Sequence, residues 1–131
     1  MTEHVTVCDQ AYDPSTNTWS AKARMSTPRG DPGGVVLGGK LYVAGGDKND
    51  TTALGSVECF DPARGTWEAV APMATARSNC ATVAVGGKLY VMGGYGSASS
   101  VECYDPERNE WRAVAPMAQA RFDHACAVLD G

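Results

Sequence analysis

One phrase of eight residues occurs three times along this chain. It reads YDPSTNTW at residues 12–19, FDPARGTW at 60–67 and YDPERNEW at 104–111, so the offsets are 48 and then 44 residues. A second phrase, GGKLYV at 38–43, returns at 86–91 with the same offset of 48. Repetition every 40–50 residues or so in units of short strands is typical of a β-propeller, in which each repeat forms one four-stranded blade. We therefore predict an all-β fold built of propeller blades with four antiparallel strands each.

Other landmarks keep the same spacing. Gly pairs stand at 45–46 and 93–94, and arginines recur at Arg29, Arg77 and Arg121. The Gly pairs are interpreted as structural turns rather than as a phosphate-binding loop, because no P-loop pattern surrounds them. Each arginine is predicted to bond to backbone within or between blades.

The repeats divide the chain into four parts. Residues 1–27 are predicted to hold the last strands of a partial blade, 28–75 the first full blade, 76–119 the second full blade, and 120–131 the first strand of a further blade. Within the first part, the strand near Val5 and Val7 is expected to serve as a third strand. Polar loops are predicted at 47–56 and 95–100, and a strand at 121–129.

The array is incomplete, because a closed propeller needs about 4–8 blades. The chain is therefore expected to be a fragment or a protomer that completes its propeller as a homo-oligomer. Trp19, Trp67 and Trp111 are predicted to fill the gaps between adjacent blades.

Composition disfavours several classes of function. The net charge is −4 and the basic residues are scattered, which disfavours nucleic-acid binding. No apolar run approaches the roughly 18 residues of a membrane span, and the N-terminus is too polar for a signal peptide. The five cysteines form no Cys-x-x-Cys pair. Free thiols and a cytoplasmic location are therefore expected, with a bridge between Cys59 and Cys103 as the alternative.

The combined pattern resembles kelch repeats. It comprises the Gly pair after the second strand, the Tyr of VECYDP at 101–106, the Trp seven residues after that Tyr, and the Arg before the next first strand. The wording SVEC at 56–59 and APM at 115–117 is similar to that of animal kelch-like proteins. The resemblance implies a propeller that captures a protein substrate, joined to BTB and BACK domains through which a cullin ubiquitin ligase is engaged. Those domains are absent from these residues, so a cullin partner is expected only through them.

Connectivity places the entries to the first strands and the loops after the second strands at one end of the blades. In the kelch-like adaptors that this chain resembles, that end holds the partner. Tyr95 is the strongest candidate, because exposed loop aromatics often anchor interfaces. The candidate partner-binding residues are Asp31, Asp47, Lys48, Asn49, Ser78, Asn79, Tyr95, Ser97, Phe122 and Asp123, together with Gly30 and Ser99.

An enzymatic role is not expected. Galactose oxidase, a copper enzyme with a kelch propeller, uses two His and two Tyr ligands, whereas this chain has only His4 and His124, without metal-ligand spacing. No Gly-x-Ser-x-Gly motif occurs. We predict no cofactor and no catalytic residue. The first hypothesis is a protein-binding module of a cullin-ligase substrate adaptor. The alternatives are an actin-linked kelch scaffold and, behind it, a sugar-active enzyme.

Overall fold

The computed structural model describes residues 5–7, 9–96 and 99–129 of the chain. Within these ranges the regular secondary structure is entirely β, and every strand pairing is antiparallel. The predicted all-β fold is confirmed. The sheets of the described residues do not close into a ring. In chain order the strands are β1 (Val5–Val7), β2 (Gln10–Asp13), β3 (Thr18–Ala21), β4 (Gly33–Leu37), β5 (Lys40–Ala44), β6 (Asp47–Lys48), β7 (Thr52–Ala53), β8 (Val57–Asp61), β9 (Thr66–Val70), β10 (Ala81–Val85), β11 (Lys88–Met92), β12 (Val101–Asp105) and β13 (Glu110–Val114).

Two sheets are complete blades. The first blade has the order β4-β5-β8-β9 and the second has the order β10-β11-β12-β13. Within each blade, strands that follow one another along the chain are therefore hydrogen-bonded neighbours. The turns between the first two strands consist of Gly38-Gly39 and Gly86-Gly87, in which all four φ angles are positive. Two-residue turns of this kind match the twist of a hairpin and require residues that tolerate positive φ. The GG pairs of the sequence therefore determine both hairpins.

The aromatic residues of the eight-residue phrase meet across the last two strands of each sheet. Tyr12 faces Trp19, Phe60 faces Trp67 and Tyr104 faces Trp111, with ring centroids 5.0–5.3 Å apart. The indole N–H of Trp67 donates to the carbonyl of Ala23, and that of Trp111 to Ala71.

These two tryptophans therefore link each full blade to the segment that leaves the preceding sheet, as predicted. Trp19 does not, since it is 55% exposed and no sheet of the described residues precedes it. The prediction that Trp19 fills a gap between blades is wrong for that reason.

The hydrophobic core lies between the two full blades. Its buried members come from both blades and include Tyr42, Val57, Leu89, Val91 and Tyr104. Desolvated apolar side chains of this kind supply the main favourable free energy of packing. The first strands of the two blades also lie side by side, with the hydroxyl of Thr82 donating to the carbonyl of Gly34.

Three local predictions need correction. The N-terminal strand β1 pairs with β2, which itself occupies the third-strand position, so β1 takes the place of a second strand. The polar loop at 47–56 contains the short hairpin β6–β7. Residues 121–129 form no strand, because none of the described residues supplies a neighbouring second strand. This segment instead lies along the second blade, where the thiol of Cys126 contacts the carbonyl of Thr82 at 3.2 Å.

The thiols of the described residues are free. Cys59 and Cys103 are buried, and Cys80 and Cys126 are partly buried. The alternative of a bridge between Cys59 and Cys103 is therefore not realised. Burial raises the pKa of the Cys59 thiol, which keeps it protonated at neutral pH.

Candidate partner-binding face

The strand entries and the loops meet at one end of the blades, as the connectivity predicts. Gly30 and Asp47 exchange two backbone hydrogen bonds of 3.0 and 2.8 Å, and the amide of Tyr95 donates to Ser78 at 3.0 Å. These bridges fix each loop against the entry of its own blade. We call this end of the two blades the loop face. The binding role of its residues stays a prediction.

Three residues in the same repeat position line up across the loop face. Asp31, Asn79 and Asp123 each follow the recurring arginine by two residues, and their φ angles are 44°, 54° and 51°. Asn and Asp are the residues that adopt this left-handed conformation most readily after Gly. The amide of Asn79 donates to the carbonyl of Asp31 and the amide of Asp123 to that of Asn79, both at 3.0 Å. The two full blades and the segment that follows them are thus joined in register at this face.

A cavity of about 610 Å³ opens on the loop face. Its volume is within the range of about 300–1,000 Å³ that ligand sites occupy. The structure brings together six of the predicted residues in its lining, which are Asp31, Asp47, Ser78, Asn79, Tyr95 and Asp123. Sequence analysis missed Asp50 and Thr51, which also line it. The polar loop that contains them was recognised, but its hairpin conformation was not.

The hairpin brings Asp50 back over the cavity. Asn49 and Asp50 both have positive φ, and the amide of Asp50 donates to the buried carboxylate of Asp47 at 3.0 Å. Lys48, at the end of β6, and Asn49, in the turn, are exposed and do not line the cavity. The side chain of Asp47 therefore orders the loop as well as lining the site.

An aromatic pair stands at the edge of the face. The rings of Tyr95 and Phe122 stack with centroids 4.3 Å apart, and the two residues are 51% and 52% exposed. Phe122 lies outside the cavity lining. Gly30 serves the loop bridge, and the carbonyl of Ser99 accepts from Met117. The remaining candidate, Ser97, lies outside the described residues.

Residues 28–74 and 76–118 match the Kelch motif. Together the two matched ranges cover more than half of the chain. The chain belongs to the kelch-repeat family. Over 46 residues it is also 44% identical to human Kelch-like protein 5, a match that spans 35% of this chain and 6% of that relative. The predicted resemblance to kelch-like proteins is confirmed. The family supports a protein-interaction propeller module.

Each kelch blade is fastened by a buried arginine. In the second blade, Arg77 is fully buried and donates to the carbonyls of Gly93 and Ser100 at 3.0 and 2.9 Å. It also bonds the Ser100 hydroxyl and pairs with Glu102 at 3.0 Å. Arg29 makes the equivalent bonds in the first blade. The prediction that these two arginines bond backbone is therefore confirmed. Arg121 is exposed.

The carboxylates of these pairs hold the segment that enters each blade. Glu58 accepts from the amide and hydroxyl of Ser26 at 2.8 and 2.7 Å, and Glu102 accepts from the amide of Ala74 at 2.7 Å. The arginine–glutamate pair and its partners are called the blade clamp below. Sequence analysis missed the two glutamates, although their offset of 44 residues is the same as that of Trp67 and Trp111.

The clamp predicts a loss of stability in acid. Burial raises the pKa of Glu58, but the hydrogen bonds from Ser26 and Arg29 and the charge of Arg29 outweigh burial and lower it below its usual value. A carboxyl group with a lowered folded pKa stabilises the fold fully above its unfolded pKa of about 4.3, and this contribution is lost as the pH falls through the folded pKa. Urea unfolding of Glu58→Gln at pH values from 6 downwards should show a weaker pH dependence, by up to about 1.4 kcal/mol per pH unit.

A matched variant separates this effect from the loss of any carboxylate. Glu107 is exposed on the turn after the third strand of the second blade. Glu107→Gln removes the same charge without touching a clamp. Equal pH slopes for Glu58→Gln and the unmodified chain would contradict the assignment.

In the described ranges of the chain, no helix is long and apolar enough to cross a membrane. Within the same ranges no group of three or more His, Cys, Asp or Glu side chains is arranged to hold a metal ion. His124 is partly buried, and both of its ring nitrogens lack a hydrogen-bond partner. His4 lies outside the described residues.

Proposed function

We propose that this chain is part of the substrate-recognition propeller of a kelch-like adaptor for a cullin-RING ubiquitin ligase, and that it binds a protein partner on the loop face. The observation that carries the proposal is the cavity on that face, bordered by the exposed Tyr95–Phe122 stack. Exposed aromatics beside a pocket on a rigid scaffold are typical anchors of protein interfaces.

Two features support this assignment. The loops are held by backbone bridges to their own blades, so the face is ordered before any partner binds. The similarity to Kelch-like protein 5 favours the adaptor over other kelch proteins. Engagement of the cullin scaffold is assigned to segments outside the kelch repeats. The free thiols favour a reducing compartment such as the cytoplasm.

The test is affinity capture from cell lysate with the whole chain and with Tyr95→Ala. Proteins that bind the loop face should be lost with Tyr95→Ala, because the variant removes half of the aromatic stack. Leu129→Ala is the matched control, since Leu129 is 92% exposed and lies outside the cavity lining. Its captured proteins should equal those of the unmodified chain.

The identity of the captured proteins decides between the candidate functions. A ligase substrate lost with Tyr95→Ala should have a longer half-life in cells when cullin ligases are inhibited. Actin in that set would instead support the cytoskeletal scaffold. Oxidation of galactose by the purified chain with added copper would overturn the non-enzymatic assignment.

A further inference from the structure

The cavity on the loop face has a strongly one-sided charge. Four of its lining residues are aspartates, namely Asp31, Asp47, Asp50 and Asp123, and no Lys, Arg or His lines it. The first three belong to the first blade and its loop, and the fourth to the segment after the second blade. The carboxylates thus approach one space from opposite sides of the two-blade face.

These carboxylates have no cationic partner within the described part of the chain. The salt bridges found there involve other acidic residues, namely Asp9, Glu58, Asp61, Glu102 and Asp105. Of the recurring arginines, Arg29 and Arg77 are buried and paired with glutamates in the blade clamps, while Arg121 is exposed and does not line the cavity. The lining of the cavity therefore carries four carboxylates and no cationic side chain. A cleft lined by one sign of charge attracts ligands of the opposite sign.

The aromatic pair beside the cavity favours the same ligand chemistry independently. Tyr95 lines the cavity and stacks on Phe122, and both rings are half exposed. An arginine guanidinium stacks on aromatic faces and pairs with carboxylates, whereas the compact ammonium of lysine stacks less well. A stacked aromatic edge next to four aspartates combines both contacts in one site.

We propose that the loop face binds a cationic peptide segment of the partner protein, with arginine side chains entering the aspartate-lined cavity beside Tyr95. The volume of about 610 Å³ suits side chains of a peptide rather than a single ion. This inference rests on the proposed function and specifies the charge class of its partner.

The experiment measures binding of four fluorescent peptides to the whole chain at low and near-physiological salt. The peptides have equal length and alternate Gly with Arg, Lys, Gln or Glu. The Arg peptide should bind, with an affinity that falls as salt is added, and the Gln and Glu peptides should not. A Lys version of the cationic peptide should bind more weakly than the Arg version.

The decisive variant is Asp31→Asn combined with Asp123→Asn. Asn79 occupies the same repeat position in the second blade with the same left-handed backbone, so asparagine is accommodated there. The variant should weaken binding of the Arg peptide by roughly fivefold. The control is Glu107→Gln combined with Glu110→Gln, which removes two exposed charges from the opposite end of the second blade and should leave the affinity unchanged.

The outcomes separate this inference from the proposed function. Equal weakening by both double variants would mean attraction to the net charge of the chain and would overturn the inference. Binding of the Gln or Glu peptide that is lost with Tyr95→Ala would also overturn it, while leaving a protein-binding loop face in place. Failure of all peptides and of Tyr95-dependent capture from lysate would contradict both.

Discussion

Replacement of Arg77 with alanine is expected to lower the free energy of unfolding by about 3–5 kcal/mol, as is usual when one member of a buried ion pair is removed. The guanidinium is fully buried, and its removal leaves the carboxylate of Glu102, which is only 4% exposed, without its cation. The carbonyls of Gly93 and Ser100 lose donors at the same time. Urea unfolding followed by circular dichroism measures the change.

The same repeat position supplies the matched control. Arg121 is exposed, and Arg121→Ala should change the free energy of unfolding by less than about 0.5 kcal/mol, as is usual for surface substitutions. Arg77→Lys should lie between the two, because lysine restores the charge but not the several planar donors. If Arg77→Ala costs no more than Arg121→Ala, the blade clamp does not stabilise the second blade.

The clamp also illustrates what the sequence could and could not predict. The recurrence of arginine was visible, and so was its preference for backbone partners, because a residue that recurs in register is a feature of the blade. The roles of Glu58 and Glu102 were not, since a carboxylate within a strand is usually exposed to solvent. Both are buried because each meets an arginine and the amides of the entering segment.

Placement of the loop face followed from connectivity alone, because antiparallel order determines which ends of the strands coincide. Its cavity did not. Asp50 reaches the cavity only through the positive φ angles at the tip of the β6–β7 hairpin, which the polar composition of the loop does not specify.

The predictions for residues 121–129 and for Trp19 were wrong because both depend on contacts with segments that are distant in the sequence. Residues 121–129 have the composition of a first strand, yet a strand needs a hydrogen-bonded neighbour, and the described residues provide none beyond the second blade's own first strand. Trp19 is exposed for a similar reason, because the tryptophan of each sheet is covered by the segment that leaves the sheet before it. The sequence periodicity predicts which strands and contacts a repeat can form. Whether they form depends on a neighbouring strand or segment being present.

The junction between the two full blades leads to the second large effect, at Gly45. This residue has a φ of 66°, and a Cβ atom there would lie 2.3 Å from the carbonyl oxygen of Arg77 in the next blade. Gly45→Ala should therefore lower the free energy of unfolding by about 2–4 kcal/mol, from left-handed backbone strain together with steric overlap. Gly38→Ala isolates the strain, because Gly38 has a φ of 58° and nothing within 4 Å of its Cβ position. That variant should lose only about 1 kcal/mol.

Because the overlap falls on the backbone of Arg77, Gly45→Ala should also move the second blade away from the first and change the fluorescence of Trp111, which bonds across that junction. Equal losses in the two variants would mean that the junction relaxes freely, and the close contact at Gly45 would then contribute nothing to holding the blades together.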